Sequence, residues 1–349
     1  MKKTLIVGGG FAGIAMAWEL EKRHLPYKII DPFSQRSSSF ISAGLINPVT
    51  GRKYQLQWNI RNLLPLIENE MHQLEQFLNC RLLIKNDILK IHKSEQALEA
   101  WQLQKSNPEL KEFITDPAPA DRWSRFIDAR YGAITIHHAM RIDSGALISN
   151  FLRAIGDKWI AATVDHDAIK ISTSSVEYRD EQFDYVIFCE GIGALQNPLF
   201  HHIPFKPSKG ECMVIDIPLL KYSGMIHKGV ILVPLENNRW WVGATSSWND
   251  LEELPTEAGI GQLHNDLHSL LRVPYQVLEE KAAIRPTIRD RTPVVGNHPV
   301  HQHLFILNGM GTKGASLSNY YAGMLANHMF ENGALDMASD VQRFSHLLQ

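Results

Sequence analysis

At 349 residues the chain is too long for one small core and suits two lobes, and its 44% apolar and 21% charged residues are ordinary for a soluble globular enzyme. With 35 basic against 37 acidic residues the net charge is −2, so no global field recruits nucleic acid or an anionic membrane. Three cysteines, Cys80, Cys189 and Cys212, stand singly, which fits buried thiols in a reducing compartment better than a disulfide framework.

The opening Met-Lys-Lys and apolar run are broken at once by glycine and lack a small-residue cleavage site, so they read as a first strand rather than a signal peptide. No later apolar stretch approaches the length of a membrane-spanning helix, and the cytoplasm is the expected location. Residues 4–7 run directly into Gly8-Gly9-Gly10-Phe11-Ala12-Gly13, after which Ile14, Ala17 and Trp18 repeat with helical period. This predicts a strand, a tight turn and a helix start of the dinucleotide-binding kind. Gly8 makes the turn, Gly10 admits a pyrophosphate to the backbone, and Gly13 lets helix and strand pack closely. The first amides of the helix and its positive dipole end then face the phosphates. A second strand over residues 27–30 ends in Asp31, spaced to accept ribose hydroxyls. By themselves the turn and Asp31 serve NAD and FAD alike.

The stretch 32–48 is polar with a serine cluster and then small and apolar, and its hydroxyls and free amides would lie beside the cofactor's phosphates. Ile60, Leu63, Leu64, Ile67, Met71, Leu74 and Leu78 form a helical stripe, in which Pro65 predicts a kink or two shorter helices. From residue 82 the pattern turns strand-like, over 82–84, 88–91 and 132–136, around a helix-prone insert near 94–106, as if a second lobe begins. Asp143 is placed to cap a helix carrying Leu147, Phe151 and Leu152. Short strands follow over 159–164, 168–171 and 175–178, then a buried strand over 185–189 that ends in Glu190-Gly191-Ile192-Gly193. Cys212, Val214 and Ile217 mark another strand, and strands over 230–233 and 240–243 flank an Asn237-Asn238 hairpin turn. An amphipathic helix carries Ile260, Leu263, Leu267 and Leu271. The strand over 304–308 enters Gly309-Met310-Gly311-Thr312-Lys313-Gly314 and a helix through 325–330, repeating the logic of the first turn. A plain NAD-binding domain would leave this second turn unexplained.

In order and spacing these pieces resemble the FAD-dependent amine and D-amino-acid oxidase (DAO) family, which includes glycine oxidase and sarcosine oxidase. The likeness is carried by Gly8, Gly10 and Gly13 with Asp31, the 39–44 loop, Asp143, Val164, Gly191 and Lys209-Gly210-Glu211. It continues through Val233-Pro234 with Val242-Gly243-Ala244-Thr245, Arg285-Pro286 with Asp290, Pro293 and Gly296, and the 309–314 loop. Arg289-Asp290 and the 309–314 loop look most similar to the oxidase domain of the bifunctional enzyme that completes methylaminomethyl-uridine in tRNA, without its methyltransferase partner.

The resemblance implies an α/β fold. A discontinuous Rossmann-like FAD-binding domain of the glutathione-reductase type would comprise residues 1–80, 141–205 and 285–349, and an α+β substrate domain with an antiparallel sheet would comprise 81–140 and 206–284. The implied reaction oxidises the C–N bond of a small amine or amino acid by hydride transfer to flavin N5, followed by imine hydrolysis. One alternative is an FAD-dependent oxidase of a modified tRNA uridine, against which the near-neutral charge speaks. Another is a flavin-binding protein without turnover.

Carried over residue by residue, the resemblance puts FAD against Gly8, Gly10, Phe11, Ala12 and Gly13, Asp31 and Pro32, Ser38 and Ser39, and Ala43, Gly44 and Leu45. It continues with Val164, Cys189, Gly191, Gly193 and Arg285, and with Gly309, Gly311, Thr312, Lys313 and Gly314. Arg285 would clamp the substrate carboxylate, the bland alternative being a surface ion pair with Asp290. Lys313 either meets the pyrimidine end of the flavin or faces solvent, and Arg52 and Lys53 read as a solvated loop. Glu190 stands where relatives usually have a small residue, so it either finds a buried partner or turns outward. Ile41 occupies the place of a tethering histidine of some relatives, and no cysteine lies near the 309–314 loop, so the FAD is expected to be non-covalent. The pairs His137-His138 and His201-His202 and the cluster of His298, His301 and His303 lack carboxylates or cysteines at zinc spacing, so no metal is expected. Of Trp240 and Trp241, one should enter the core and the other face the cavity or a neighbouring surface.

Overall fold

The computed structural model describes residues 2–117 and 123–348. Among these residues one sheet has six strands in the order Trp159–Ile160, Tyr27–Ile30, Thr4–Val7, Tyr185–Phe188, Leu304–Asn308 and Val294–Asn297. All neighbours in it are parallel except the last pair. Its central strands are apolar along their whole length because both faces are covered. Ile6, Ile29, Ile187 and Leu307 pack toward the helices Phe11–Lys22 and Gly314–Glu331. Leu5, Val7, Val186 and Phe188 pack on the other side against Val176, Tyr178 and Phe183 of a three-stranded meander.

Among the described residues the second sheet has eight strands: Gln276–Arg285, Ser208–Asp216, Arg239–Gly243, Val230–Pro234, Met225–Lys228, Ile88–Ile91, Ala133–Ile136 and Ile114–Thr115. Only the pairing of Met225–Lys228 with Ile88–Ile91 is parallel. Side-chain alternation gives this sheet two different faces. On the outer face, Met213, Ile215, Leu232, Trp240 and Val242 form a core with Ile260, Leu263 and Leu267 of the helix Glu257–Leu270. On the inner face, Ile88, Ile134, Ile136, Met225 and Val233 join the core that continues under the helices of the parallel sheet. The architecture is mixed α/β, and of its two largest sheets among the described residues one is mostly parallel and the other largely antiparallel.

Several elements differ from the sequence reading. Ile60–Leu78 is a single helix with Pro65 inside it. The proline lies near the start, where its missing N–H removes only one early helical bond, so the helix continues. The strand expected over 159–164 ends at Ile160, because Ala162 N turns back to Ile160 O at 2.9 Å. Met225–Lys228 was not foreseen as a strand, since Lys228 interrupts the apolar alternation. Its ammonium is buried on the outer face, donating to the carbonyls of Asp128 at 3.0 Å and Ser269 at 2.6 Å. Asn237 and Asn238 do form the hairpin turn, with φ of 59° and 58°.

Candidate functional site

The first turn is shaped by backbone proximity. A Cβ on Gly13 would lie 1.8 Å from Gly8 O, and one on Gly8 would lie 2.4 Å from Cys189 O, while Gly8 itself has φ +106°. No side chain larger than glycine's fits either place. Asp31 accepts hydrogen bonds from Gly9 N and Phe33 N, both at 2.7 Å, which fixes its carboxylate and leaves lone pairs for further donors. The helix Phe11–Lys22 begins at Gly10 without a side-chain cap. Ser39 Oγ accepts from Phe11 N at 3.2 Å, and the helix keeps its positive end for a ligand. An uncapped helix start behind a backbone-tight glycine turn fits a diphosphate, and a fixed acid at the next strand end fits a ribose.

The other expected cofactor residues fall on several elements. Pro32 is exposed beside Asp31, and Ser38 and Ser39 open the short helix Ser38–Ile41. Ala43 is buried, and Leu45 pairs with Arg141 in a small sheet. Gly44 answers to the chain itself: a Cβ there would sit 1.9 Å from Ile142 O. Val164 lies in a loop, half-buried against the outer core of the parallel sheet. Cys189 is buried, its N donating to Val7 O at 2.7 Å, and Gly191 and Gly193 lie in the 3-10 turn Gly191–Gln196. Asn308 Nδ2 donates to Gly191 O at 2.9 Å and ties this turn to the strand that leads to Gly309. Gly311, Thr312 and Lys313 form a single turn before the helix Gly314–Glu331. A Cβ on Gly314 would meet the Phe11 ring at 3.1 Å, so the second glycine turn docks on the first.

Glu190 does not turn outward. Its side chain is 5% exposed and accepts from Asn197 Nδ2 at 2.7 Å while bonding His166 Nε2 at 2.6 Å. These partners satisfy a carboxylate that would otherwise be costly to bury, and Glu190 in turn raises the His166 pKa.

Arg285 closes the strand Gln276–Arg285 on the inner face of the larger sheet. Its guanidinium lies in the space a Gly210 side chain would fill, with Nη2 1.8 Å from the Cβ position. Nη1 donates to Lys209 O at 3.2 Å and Nη2 to Thr245 O at 3.1 Å. Burial lowers its pKa, and among the described residues no carboxylate lies within ion-pair distance. The ion pair with Asp290 does not form, because Asp290 binds Arg343 at 3.1 Å. Thr287 bridges to Met310 and Gly311 N donates to Pro286 O at 3.3 Å, which joins the Arg285 segment to the second glycine turn. The Lys313 pKa is lowered by burial, and its ammonium too has no carboxylate within ion-pair distance among the described residues.

Trp240 enters the outer core, whereas Trp241 packs on the inner face with Cys212 and Ala283 and donates to Ile41 O at 2.9 Å. Arg52 and Lys53 are exposed. His298 has both ring nitrogens occupied, Nε2 by Leu199 O at 2.9 Å and Nδ1 by the amides of Val300 and His301 at 3.1 Å. Sequence reasoning missed Lys90, whose strand Ile88–Ile91 made it look like an ordinary solvent-facing position, and His227, which lay in the unrecognised strand. Among the described residues, no helix is long and apolar enough to cross a membrane.

Comparison with known proteins gives a consistent result. The pattern of the DAO family, described as FAD dependent oxidoreductase, matches residues 3–328. The chain is 25% identical over 357 residues to YurR, an oxidoreductase of Bacillus subtilis (strain 168), covering 93% of this chain and 94% of that protein. It is 29% identical over 143 residues to glycine oxidase of Geobacillus kaustophilus (strain HTA426), a local match covering 40% of this chain and 37% of that enzyme. The crystal structure of glycine oxidase from Geobacillus kaustophilus superposes with a TM-score of 0.78 at 20% identity, over 99% of this chain and 98% of that one. With both glycine turns, Asp31 and the paired sheets inside the matched stretch, the chain belongs to the DAO family and is an FAD-dependent oxidoreductase.

Proposed function

We propose that this enzyme oxidises the C–N bond of a small amine or amino acid whose carboxylate is held by Arg285. The observation that carries this reading is the Arg285 guanidinium itself, fixed by two backbone carbonyls and left without an acid partner among the described residues. A planar fork so held can take a carboxylate through two parallel hydrogen bonds and fix the adjacent carbon. The names of relatives support the substrate class, since they include glycine oxidase and, by fold, an iminodiacetate oxidase and an L-proline dehydrogenase.

FAD, bound non-covalently, supplies the two-electron acceptor for the C–H bond beside nitrogen. The chain would hold it through the helix start at Gly10 to Gly13, through Asp31 and through the turn Gly309 to Gly314, with Lys313 adding positive charge where the ring gains electrons. Trp241 and Cys212 lie on the same inner face of the sheet as Arg285, and the amine needs no general base if it arrives neutral. Water then hydrolyses the released imine to a carbonyl compound and an amine or ammonia.

The test is an anaerobic titration of the FAD-loaded protein with glycine, sarcosine and D- and L-amino acids, read as bleaching of the flavin. If dithionite bleaches it and none of these does, the proposal fails. Arg285→Ala should raise KM for carboxylate substrates by the equivalent of about 2 to 5 kcal/mol. An unchanged KM would remove Arg285 from the site.

A further inference from the structure

The Arg285 side chain crosses a strand to reach its place. In the pairing of Gln276–Arg285 with Ser208–Asp216, Arg285 lies opposite Ser208 and Ala283 lies opposite Gly210. The guanidinium ends at two carbonyls beyond that pairing: Lys209 O on the crossed strand itself, and Thr245 O on the segment that follows Arg239–Gly243 along the crossed strand's far side. Neighbouring strands are about 4.8 Å apart, so an arginine side chain spans one of them only by lying flat on it. Ser208, Gly210 and Cys212 alternate onto the inner face, where Cys212 packs on Ile41, and the crossing falls at Gly210.

A Cβ at position 210 would stand 1.8 Å from Nη2, 2.2 Å from Cζ and 2.7 Å from Nη1 of Arg285, and these guanidinium atoms are the nearest it would meet. Gly8 and Gly13, by contrast, are confronted by backbone carbonyls. The bland reading is that the strand needs glycine at 210 for its own backbone, but the φ of Gly210 lies outside the left-handed region and no backbone atom is among those nearest to the added Cβ. Glycine inside a strand ordinarily weakens it and marks a place where something approaches the backbone closely. Here the approaching group is the Arg285 fork.

The two carbonyls are themselves fixed. Lys209 N donates to Ser247 O at 2.8 Å and Ser247 N donates back to Lys209 O at 3.0 Å. Thr245 N donates to Glu211 O at 3.1 Å, and Thr245 Oγ1 accepts from Glu211 N at 2.9 Å. Neither carbonyl is free to follow a displaced guanidinium. A methyl group at 210 would meet the far end of a flexible side chain and not the backbone, so the fork must give way while the sheet stays.

We propose that Gly210 is a positioning residue of the carboxylate clamp: its missing side chain is the seat of the Arg285 guanidinium, and any side chain there lifts the fork off both carbonyls. This rests on the reading in which Arg285 takes the substrate carboxylate. Held flat by Lys209 O and Thr245 O, the fork presents its remaining N–H donors in a fixed plane. Lifted from them it is a mobile cation, which still attracts an anion but no longer fixes the carbon beside it.

The experiment compares the FAD-loaded wild type with Gly210→Ala, Arg285→Ala and the double variant. The readouts are KM for the amino acid that reduces the wild-type flavin best, the Kd of acetate, a carboxylate with no amine to oxidise, taken from the shift of the flavin spectrum, and the melting temperature. Gly210→Ala should raise KM and the acetate Kd by about tenfold or more. In the Arg285→Ala background the same substitution should move either value by less than about twofold, because the group it displaces is gone. It should likewise lower the melting temperature more with Arg285 present than without it. If Gly210→Ala does not fold, the double variant should, and failure of both to fold would show that position 210 serves the backbone and overturn the proposal. Unchanged KM and Kd in Gly210→Ala, or equal changes in both backgrounds, would also overturn it, and the Arg285 reading would stand as long as Arg285→Ala alone weakens both. If Arg285→Ala changes neither KM nor Kd, the underlying reading falls and this inference falls with it.

Discussion

Glu190 keeps its carboxylate almost wholly out of water by bonding His166 and Asn197, and the consequence falls on the histidine. The hydrogen bond to Glu190 raises the His166 pKa against the opposing effect of burial, and Asp165 and Asp167 add to the rise. The protonated ring therefore stabilises the fold fully below the ordinary histidine value of about 6.5, and this contribution is lost as pH rises through the raised folded value. Thermal unfolding of the apoprotein should show wild type losing stability over that window relative to Glu190→Gln. Parallel profiles for the two proteins would contradict the assignment. The sequence made the glycine turn readable because the requirements of Gly8, Gly10 and Gly13 are local to a few residues. It left Glu190 open because its partner His166 is 24 positions away, in a polar turn between two expected strands.

At the scale of elements, the helix Glu257–Leu270 is anchored by a strand. Glu211 Oε1 accepts from Thr256 N at 3.1 Å and Thr256 Oγ1 at 2.9 Å, while its other oxygen lies 1.3 Å from where a Gly259 Cβ would stand. The carboxylate cannot swing aside without uncapping the helix and loosening Lys209, whose carbonyl holds Arg285. Replacing glycine by alanine inside a helix ordinarily gains up to about 1 kcal/mol. Here Gly259→Ala should instead lose about 1 to 3 kcal/mol, read by urea unfolding, and a gain in stability would overturn the argument. Elements with strong periodicity were legible from sequence: the stripe from Ile60 to Leu74, the amphipathic helix with Ile260 and Leu263, and the alternation around Trp240. The strand Met225–Lys228 was not, because a buried lysine satisfied by two distant carbonyls looks in sequence like a solvent-facing one.

For the whole molecule, we propose that the boundaries of the two lobes run near residues 80, 140, 205 and 285. The inner-face residues Ile134, Met225 and Val233 share one core with Ile6, Ile14 and Tyr321, so the lobes should melt together. FAD at a hundredfold excess over its Kd should stabilise that single transition by about 2.7 kcal/mol. Two calorimetric transitions, of which FAD moves only one, would show the lobes to be independent. The fold class was legible from the order of glycine turns and strands, whereas which polar side chains meet across the larger sheet depended on register, which no local pattern encodes. The contact between Gly314 and Phe11 also bears on how the protein is made. The first glycine turn leaves the ribosome early, yet the surface that completes it arrives only with the strand Leu304–Asn308 and the helix behind it. During synthesis the N-terminal strands must wait, partly exposed and without cofactor, until nearly the whole matched stretch has emerged. Capture of a cofactor by both glycine turns is thus a late step, which needs the strand Leu304–Asn308 and the helix behind it.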